Sequence, residues 1–269
     1  MDSRHYIIRG GVEGRKRLQK LSQVMWPTTL ELLERARIAP GMHCLDFGCG
    51  SGDLTVEMAR IVGPEGAVVG TDIDETKLEL ARDDARAQGL TNIRFRQADV
   101  VPDDEEASFD LVYGRFVLSH LPDPADALKR LGRALKPGGV IVVEDLDIHG
   151  HFSYPDCPAL WRYVDLYSQA ARRRGVDANI GPRLPGLLLD SDFAPVHMHV
   201  VQPAGLDSDI KLLIPLTVEN IAASVMEDGL ATSAEMDRII ADLYAFARDP
   251  HTVMSIPRVI QAWGRKAAA

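Results

Sequence analysis

Three carboxylates and a run of glycines are the residues of this chain best placed to do chemistry. The stretch His43-Cys44-Leu45-Asp46-Phe47-Gly48-Cys49-Gly50-Ser51-Gly52 runs from a short apolar strand into a glycine turn, and the pattern over 53–62 predicts a helix. Glycines at such a turn let a ligand approach bare backbone at a helix N-terminus. Charge narrows the choice of ligand. Asp46 precedes the turn, and Asp53 stands where the dinucleotide fingerprint Gly-x-Gly-x-x-Gly wants its last glycine. A pyrophosphate would meet negative charge there, whereas a phosphate-free ligand with a cationic amino-acid end, a sulfonium and a nucleoside suits it. About twenty residues on, in Gly70-Thr71-Asp72-Ile73-Asp74, Asp72 occupies the position from which a carboxylate accepts hydrogen bonds from ribose hydroxyls. Asp74 is also suited to cap the helix that follows.

The elements that must hold these groups alternate regularly. Short apolar runs at 43–47, 67–72, 93–97, 109–114 and 140–144 are separated by amphipathic stretches. That alternation predicts an α/β fold, a doubly wound parallel sheet with right-handed crossovers. Gly63-Pro64-Glu65-Gly66 and Lys136-Pro137-Gly138-Gly139 mark tight turns before the second and fifth strands. Upstream, a helix is expected over 13–25, with a second opening at Pro27, a residue that suits a first helical turn. No sheet pattern survives between 147 and 190, where 159–174 reads as helical, and strand character returns at 194–201 and 259–266.

Four segments in order, the glycine turn, Gly70 to Asp74, Gln97-Ala98-Asp99-Val100, and Phe109-Asp110-Leu111-Val112-Tyr113-Gly114-Arg115-Phe116-Val117-Leu118-Ser119-His120-Leu121, resemble a known pattern. The chain is similar over 40–145 to class I S-adenosylmethionine-dependent methyltransferases, of the small-molecule type similar to ubiquinone/menaquinone-biosynthesis methyltransferases. The resemblance implies a Rossmann-like doubly wound sheet, mostly parallel with an antiparallel last strand, plus N-terminal helices and a helical lid. It implies one methyltransferase domain over 1–269. Within it, 1–40 form a helical cover, 41–146 the cofactor-binding core, 147–193 the lid, and 194–269 the C-terminal strands with a helical insertion at 207–248.

The implied cofactor is S-adenosyl-L-methionine. Gly48, Cys49 and Gly50 would meet its methionine part and ribose, Asp46 would attract the ammonium directly or through water, and Asp72 would hold the ribose with Ile73 against the adenine. Asp99 would accept from the adenine amino group, or merely cap a turn, with the Val100 amide near the ring. Arg115 either pairs with the cofactor carboxylate or ties down Asp46 or another acid. Tyr6 either folds over the cofactor or packs on the sheet edge. For catalysis, orientation carries most of the load, and a base is needed only for a phenol or carbon acid. His120 is the first candidate base, with a packing role as the alternative. His149 and His151, with Glu144 and Asp145, form a candidate acceptor-facing set whose spacing matches no recognised metal site. Phe152, Tyr154, Trp161, Tyr163 and Tyr167 are candidates for the acceptor pocket, and Tyr163 and Tyr167 share a helix face.

Composition bounds the function class. The formal net charge of −9 disfavours a surface built to collect nucleic-acid phosphates, and Arg15-Lys16-Arg17 and Arg172-Arg173-Arg174 read as solvated helix faces. Three cysteines without metal-ligand spacing, no secretory leader pattern and no apolar run long enough for a membrane predict a protein of the reducing cytoplasm. The expected partner is a small-molecule acceptor, without nucleic acid or membrane; a homo-oligomer is compatible with these features. The expected function is methyl transfer by in-line displacement. The competing expectations are a silent or non-methylating adenosylmethionine-binding protein and an NAD-type oxidoreductase.

Overall fold

The computed structural model describes residues 11–102, 105–206 and 208–268. Its central sheet has seven strands: β1 (His43–Phe47), β2 (Ala67–Asp72), β3 (Ile93–Gln97), β4 (Phe109–Arg115), β5 (Leu135–Asp147), β7 (Phe193–Val201) and β10 (Arg258–Lys266). They lie in the order β3-β2-β1-β4-β5-β10-β7. All neighbours pair in parallel except β10, which runs antiparallel to both β5 and β7. The chain winds outward from β1 to β3, then restarts beside β1 with β4. The carboxyl ends of β1 and β4 therefore border the crevice where ligands bind in open α/β sheets.

Side-chain alternation sorts the strands onto two cores. Cys44, Leu111, Tyr113, Val140 and Val142 face α1 (Gly11–Arg35) and α2 (Asp53–Val62), meeting Leu32, Leu33, Leu54 and Met58. Leu45, Phe47, Val112, Ile141 and Val143 face the opposite way, toward α4 (Pro124–Ala134) and α6 (Leu184–Leu189), meeting Leu128, Leu131, Leu184 and Leu188. Each such aliphatic side chain contributes about 1.5–3 kcal/mol on burial, so the two-faced pattern fixes the register. A smaller cluster seats α3 (Glu75–Ala87), through Leu78 and Ala81, on Phe95 of β3.

A third body of helices covers the carboxyl ends of the strands. Here α5 (Pro158–Arg173), α7 (Ser208–Glu227) and α8 (Ser233–Arg248) bury Tyr163, Tyr167, Ile214, Val218 and Leu243 against one another. Beside them β6 (Ser153–Tyr154), β8 (Ala204–Gly205) and β9 (Val253–Ser255) form a small antiparallel sheet in the order β6-β9-β8. Strands of two and three residues carry no readable alternation, so the sequence pattern does not announce them.

Two expectations are corrected. The helix of 13–25 and the one opening at Pro27 are a single helix, α1, with Pro27 inside it. Met25, Thr29, Leu32 and Leu33 are fully buried along its length, and that packing holds the turn around Pro27. The Lys136-Pro137-Gly138-Gly139 turn lies within β5 rather than before it. Leu135 pairs with Phe109 and Val140 with Leu111, so the glycine segment is accommodated as a bulge. Lys136 anchors it by donating to both carboxylate oxygens of Asp110 at 2.9 and 2.8 Å.

Candidate active site

The glycine turn after β1 has a shape that side chains would spoil. Gly48 and Gly50 adopt φ of 66° and 56°, and a Cβ on Gly48 would lie 2.4 Å from Val117. Its amides are already committed: Cys49 N–H donates to Thr71 O at 2.8 Å, Gly50 N–H to Asp72 Oδ2 at 2.9 Å and Gly52 N–H to Cys49 O at 3.0 Å. Ser51 Oγ donates to Asp53 Oδ2 at 2.5 Å at the start of α2. Three of the turn's amides are thus already spent within the fold, and Asp46, Asp53 and Asp72 set negative charge around it.

Around this turn lies a cavity of about 500 Å³ with two unlike ends. The polar end is lined by Asp46, Gly48, Cys49, Gly50, Asp72, Ile73, Asp99 and Arg115, which the sequence reading singled out together. Asp46 is buried and accepts from Thr55 Oγ1 at 2.6 Å. Burial pushes its carboxyl up to about 7, against the Thr55 hydrogen bond and the Arg115 charge. Asp72 accepts from Gly50 N–H on one oxygen and from Asp74 N–H, at 2.9 Å, on the other. Each carboxylate oxygen retains a second lone pair for a ligand hydroxyl. Asp74 itself caps α3, accepting from Lys77 N–H at 3.4 Å. Asp99 lies 3.6 Å from Arg130 Nη1. Val100 is placed differently: its side chain is buried in the core with Leu118 and Leu121 and does not line the cavity.

Arg115 leaves β4 toward α1, where Nη1 donates to Thr29 Oγ1 at 3.2 Å and Nη2 to Ser22 Oγ at 3.4 Å. Desolvation by burial is outweighed by the nearby acids Glu144 and Asp46, which keep its guanidinium charged. Five N–H groups in a planar fork leave donors to spare after those two bonds.

His120 sits in a 3-10 turn, Leu118–His120, buried and lining the cavity. Burial, with the positive charges of Arg17 and Lys77, pushes its imidazole down to about 3. Asp145 fixes that turn, accepting from Ser119 N–H at 2.9 Å and Leu146 N–H at 2.8 Å. Burial raises its carboxyl to about 6 despite those amide bonds.

The expected acceptor-facing set is not brought together. Glu144 and Asp145 are adjacent on a strand, so they point to opposite faces. Glu144 is fully buried on the α1 side, accepting from Thr29 Oγ1 at 2.6 Å, from Gln261 Nε2 at 2.8 Å and from the Tyr113 hydroxyl. His149 is exposed, with Nε2 3.4 Å from Ser168 Oγ. His151 is buried against the edge of Tyr163, with Nδ1 3.0 Å from Ser255 O, and burial lowers its imidazole to about 4. Neither of these two histidines lines the cavity. Tyr6 lies outside the described residues. Among the described residues no group of three or more His, Cys, Asp or Glu is arranged to hold a metal ion.

The apolar end combines Phe116, Val117, Ile148 and Ile256 with Tyr163 and Tyr167, whose rings meet edge to face at 6.0 Å. Phe152, Tyr154 and Trp161 stand at the surface instead, and Trp161 Nε1 donates to Asp156 at 2.8 Å. Sequence reading missed the roof. Arg17, Leu18, Leu21 and Ser22 of α1 and Leu213, Ile214 and Thr217 of α7 close the cavity. Arg17 was expected on a solvated face, yet its Nε donates to Thr217 Oγ1 at 2.8 Å. The signal available was the spacing of Leu18, Leu21 and Ser22 on one helical face. Of the second basic run, Arg173 donates to the Asp228 carbonyl and Arg174 pairs with the Asp228 carboxylate.

Residues 38–169 match the family described as Methyltransferase domain. Over 141 residues the chain is 38% identical to the ubiquinone/menaquinone biosynthesis C-methyltransferase UbiE of Ectopseudomonas mendocina, covering 51% of this chain and 52% of that protein. The matched segment is similar to methyltransferase domains. Its fold continues beyond the sequence match. A Bacillus halodurans protein assigned to the methyltransferases superposes with a TM-score of 0.61 at 17% identity, over 89% of this chain and 98% of that one. A phosphoethanolamine N-methyltransferase 2 of Haemonchus contortus, in complex with phosphomonomethylethanolamine and S-adenosylhomocysteine, gives 0.58 at 15% identity, over 93% of this chain and 56% of that one. The chain spans about half the length of the curated relatives it matches. The cofactor of this methyltransferase domain is S-adenosyl-L-methionine, and the residues present fit it. The acids around the glycine turn disfavour a diphosphate and suit an ammonium, a sulfonium and ribose hydroxyls.

Proposed function

We propose that this chain transfers a methyl group from S-adenosylmethionine to a small, largely apolar acceptor. The observation that carries the reading is the single cavity joining an acid-lined end at β1 and β2 to an aromatic end beneath α5 and α7. Asp72 holds the ribose, with Ile73 and Asp99 at the adenine and Asp46 facing the ammonium. Arg115 offers its spare N–H groups to the methionine carboxylate while α1 hydroxyls orient it. Bound S-adenosylmethionine supplies an electrophilic methyl group on a positively charged sulfur. Tyr163, Tyr167 and Phe116 then exclude water and align the acceptor, and positioning of this kind is worth on the order of 7–11 kcal/mol in favourable cases.

His120 is the cavity's candidate hydrogen-bond acceptor for the substrate; with its imidazole pushed down to about 3 it is too weak a base to carry the proton away. It stays neutral through the physiological range, so it can accept a hydrogen bond from an acceptor hydroxyl without itself becoming charged. His149 and His151 are given no part in the chemistry. We treat the chain as one methyltransferase domain over 1–269, working in the cytoplasm. Free Cys44, Cys49 and Cys157 support a reducing compartment, and no described helix is long and apolar enough to cross a membrane. The C-methyltransferase named among the relatives supports a carbon acceptor.

Calorimetry with S-adenosylmethionine and S-adenosylhomocysteine tests the reading first. Both are expected to bind; failure of both at millimolar concentration, while a dinucleotide binds, overturns it in favour of an oxidoreductase. Incubation of a metabolite extract with methyl-labelled cofactor tests the transfer. Labelled small molecules are expected, and tight cofactor binding without label in any acceptor points to a silent protein.

A further inference from the structure

We propose that the apolar end of the cavity is shaped for an acceptor bearing an anionic oxygen, a carboxylate or an ionised phenol or enol, which the Arg17 guanidinium holds. The inference rests on the methyltransferase reading and names its substrate class. Arg17 lies on α1, half-buried, and lines the cavity. Its Nε is tied to Thr217 Oγ1, whose own hydroxyl donates to Leu213 O at 2.6 Å. That chain of two bonds fixes the plane of the guanidinium across the gap between α1 and α7. Its two Nη groups make no hydrogen bond or ion pair with another residue whose side chain is described. A guanidinium edge left in this state beside Phe116, Tyr163, Leu213 and Ile214 matches the two oxygens of a carboxylate, or one phenolate oxygen.

The charge layout supports this placement. Asp46, Asp53, Asp72, Asp74 and Asp99 all belong to the other end of the cavity, where Lys77 lies 3.9 Å from both Asp72 and Asp74 and Arg115 faces Asp46. An amphipathic anion entering the cavity is repelled by that end and drawn to Arg17, which sets its direction before any apolar contact forms. The positive charge of Arg17 is also felt by His120 and Tyr163, which places all three around one space.

The test uses two planar probes of one shape, 2-naphthoate and its neutral counterpart 2-naphthamide, titrated into the full chain with saturating S-adenosylhomocysteine. The naphthoate is expected to bind about tenfold or more tightly than the amide. Arg17→Met is expected to erase that preference while leaving S-adenosylhomocysteine affinity unchanged, and Arg17→Lys to keep part of it. Circular dichroism of both variants checks that they fold. Equal binding of the two probes, no binding of either at millimolar concentration, or a preference that survives Arg17→Met overturns the proposal. So does a fall in S-adenosylhomocysteine affinity in Arg17→Met, which would assign Arg17 to the cofactor carboxylate instead. Absence of S-adenosylhomocysteine binding to the unmodified chain overturns the methyltransferase reading, and the probe pair without it still judges Arg17.

Discussion

At the polar end of the cavity every ligand-facing group comes from residues 46–120 and stands near the carboxyl end of a strand, whereas the apolar end gathers Arg17, Tyr163, Leu213 and Ile256 from elements far apart in the chain. The first end is made by turn geometry and charge. Its glycines, capping acids and committed amides follow from short-range rules, and a change of one residue alters what can be bound. The second is made by helix packing, where volume and one cation decide. A fold that separates the two in this manner can keep its cofactor while its acceptor changes.

The comparison breaks most readily at Asp72. Asp72→Ala removes the carboxylate from the Gly50 and Asp74 amides as well as from the ribose, so S-adenosylmethionine affinity is expected to fall about hundredfold, ~3 kcal/mol. Unchanged affinity by calorimetry would remove Asp72 from the site. Gly48→Ala is expected next, costing about 1–3 kcal/mol of stability in urea unfolding, since it adds a Cβ against Val117 at a left-handed φ. A neutral result there would show that the turn yields easily.

Acidity sharpens the electrostatic half. With its carboxyl near 7, Asp46 loses its negative charge as pH falls, and attraction for a cationic ligand goes with it. Affinity should be flat above about pH 7.5 and weaken by up to roughly tenfold per unit below 7, and Asp46→Asn should flatten that slope. A slope that persists in Asp46→Asn would assign it elsewhere. The smallest effect is expected at His149, exposed and outside the cavity: His149→Ala should leave turnover of the labelled methyl group within twofold.

The same contrast explains what could be read in advance. Strands β1, β2 and β3 and helix α2 coincide with the expected residues, because each carries apolar side chains at its own period and is bounded by turn-forming residues. Asp46, Asp72 and Asp99 share the cavity because spacing along a doubly wound sheet is nearly spacing in space. Arg17 escaped notice because charge in a basic triplet looks solvated until the partner, Thr217, is known, and no local rule joins positions so distant. The grouping of Glu144 with Asp145 failed for the opposite reason, since neighbours on a strand are parted by the pleat. His149 and His151 follow the strand where no periodicity fixes direction.

The turn at Cys49, Gly50 and Gly52 also bears on which adenosine compounds compete for the cavity. ATP carries the same adenosine as the methyl donor, and the base and sugar alone cannot tell the two apart. Discrimination falls to the acids around this turn and to the amides it has already spent. An incoming polyphosphate meets Asp46, Asp53 and Asp72 in the same cavity and finds the Cys49, Gly50 and Gly52 amides already spent, so ATP is expected to compete weakly with the methyl donor.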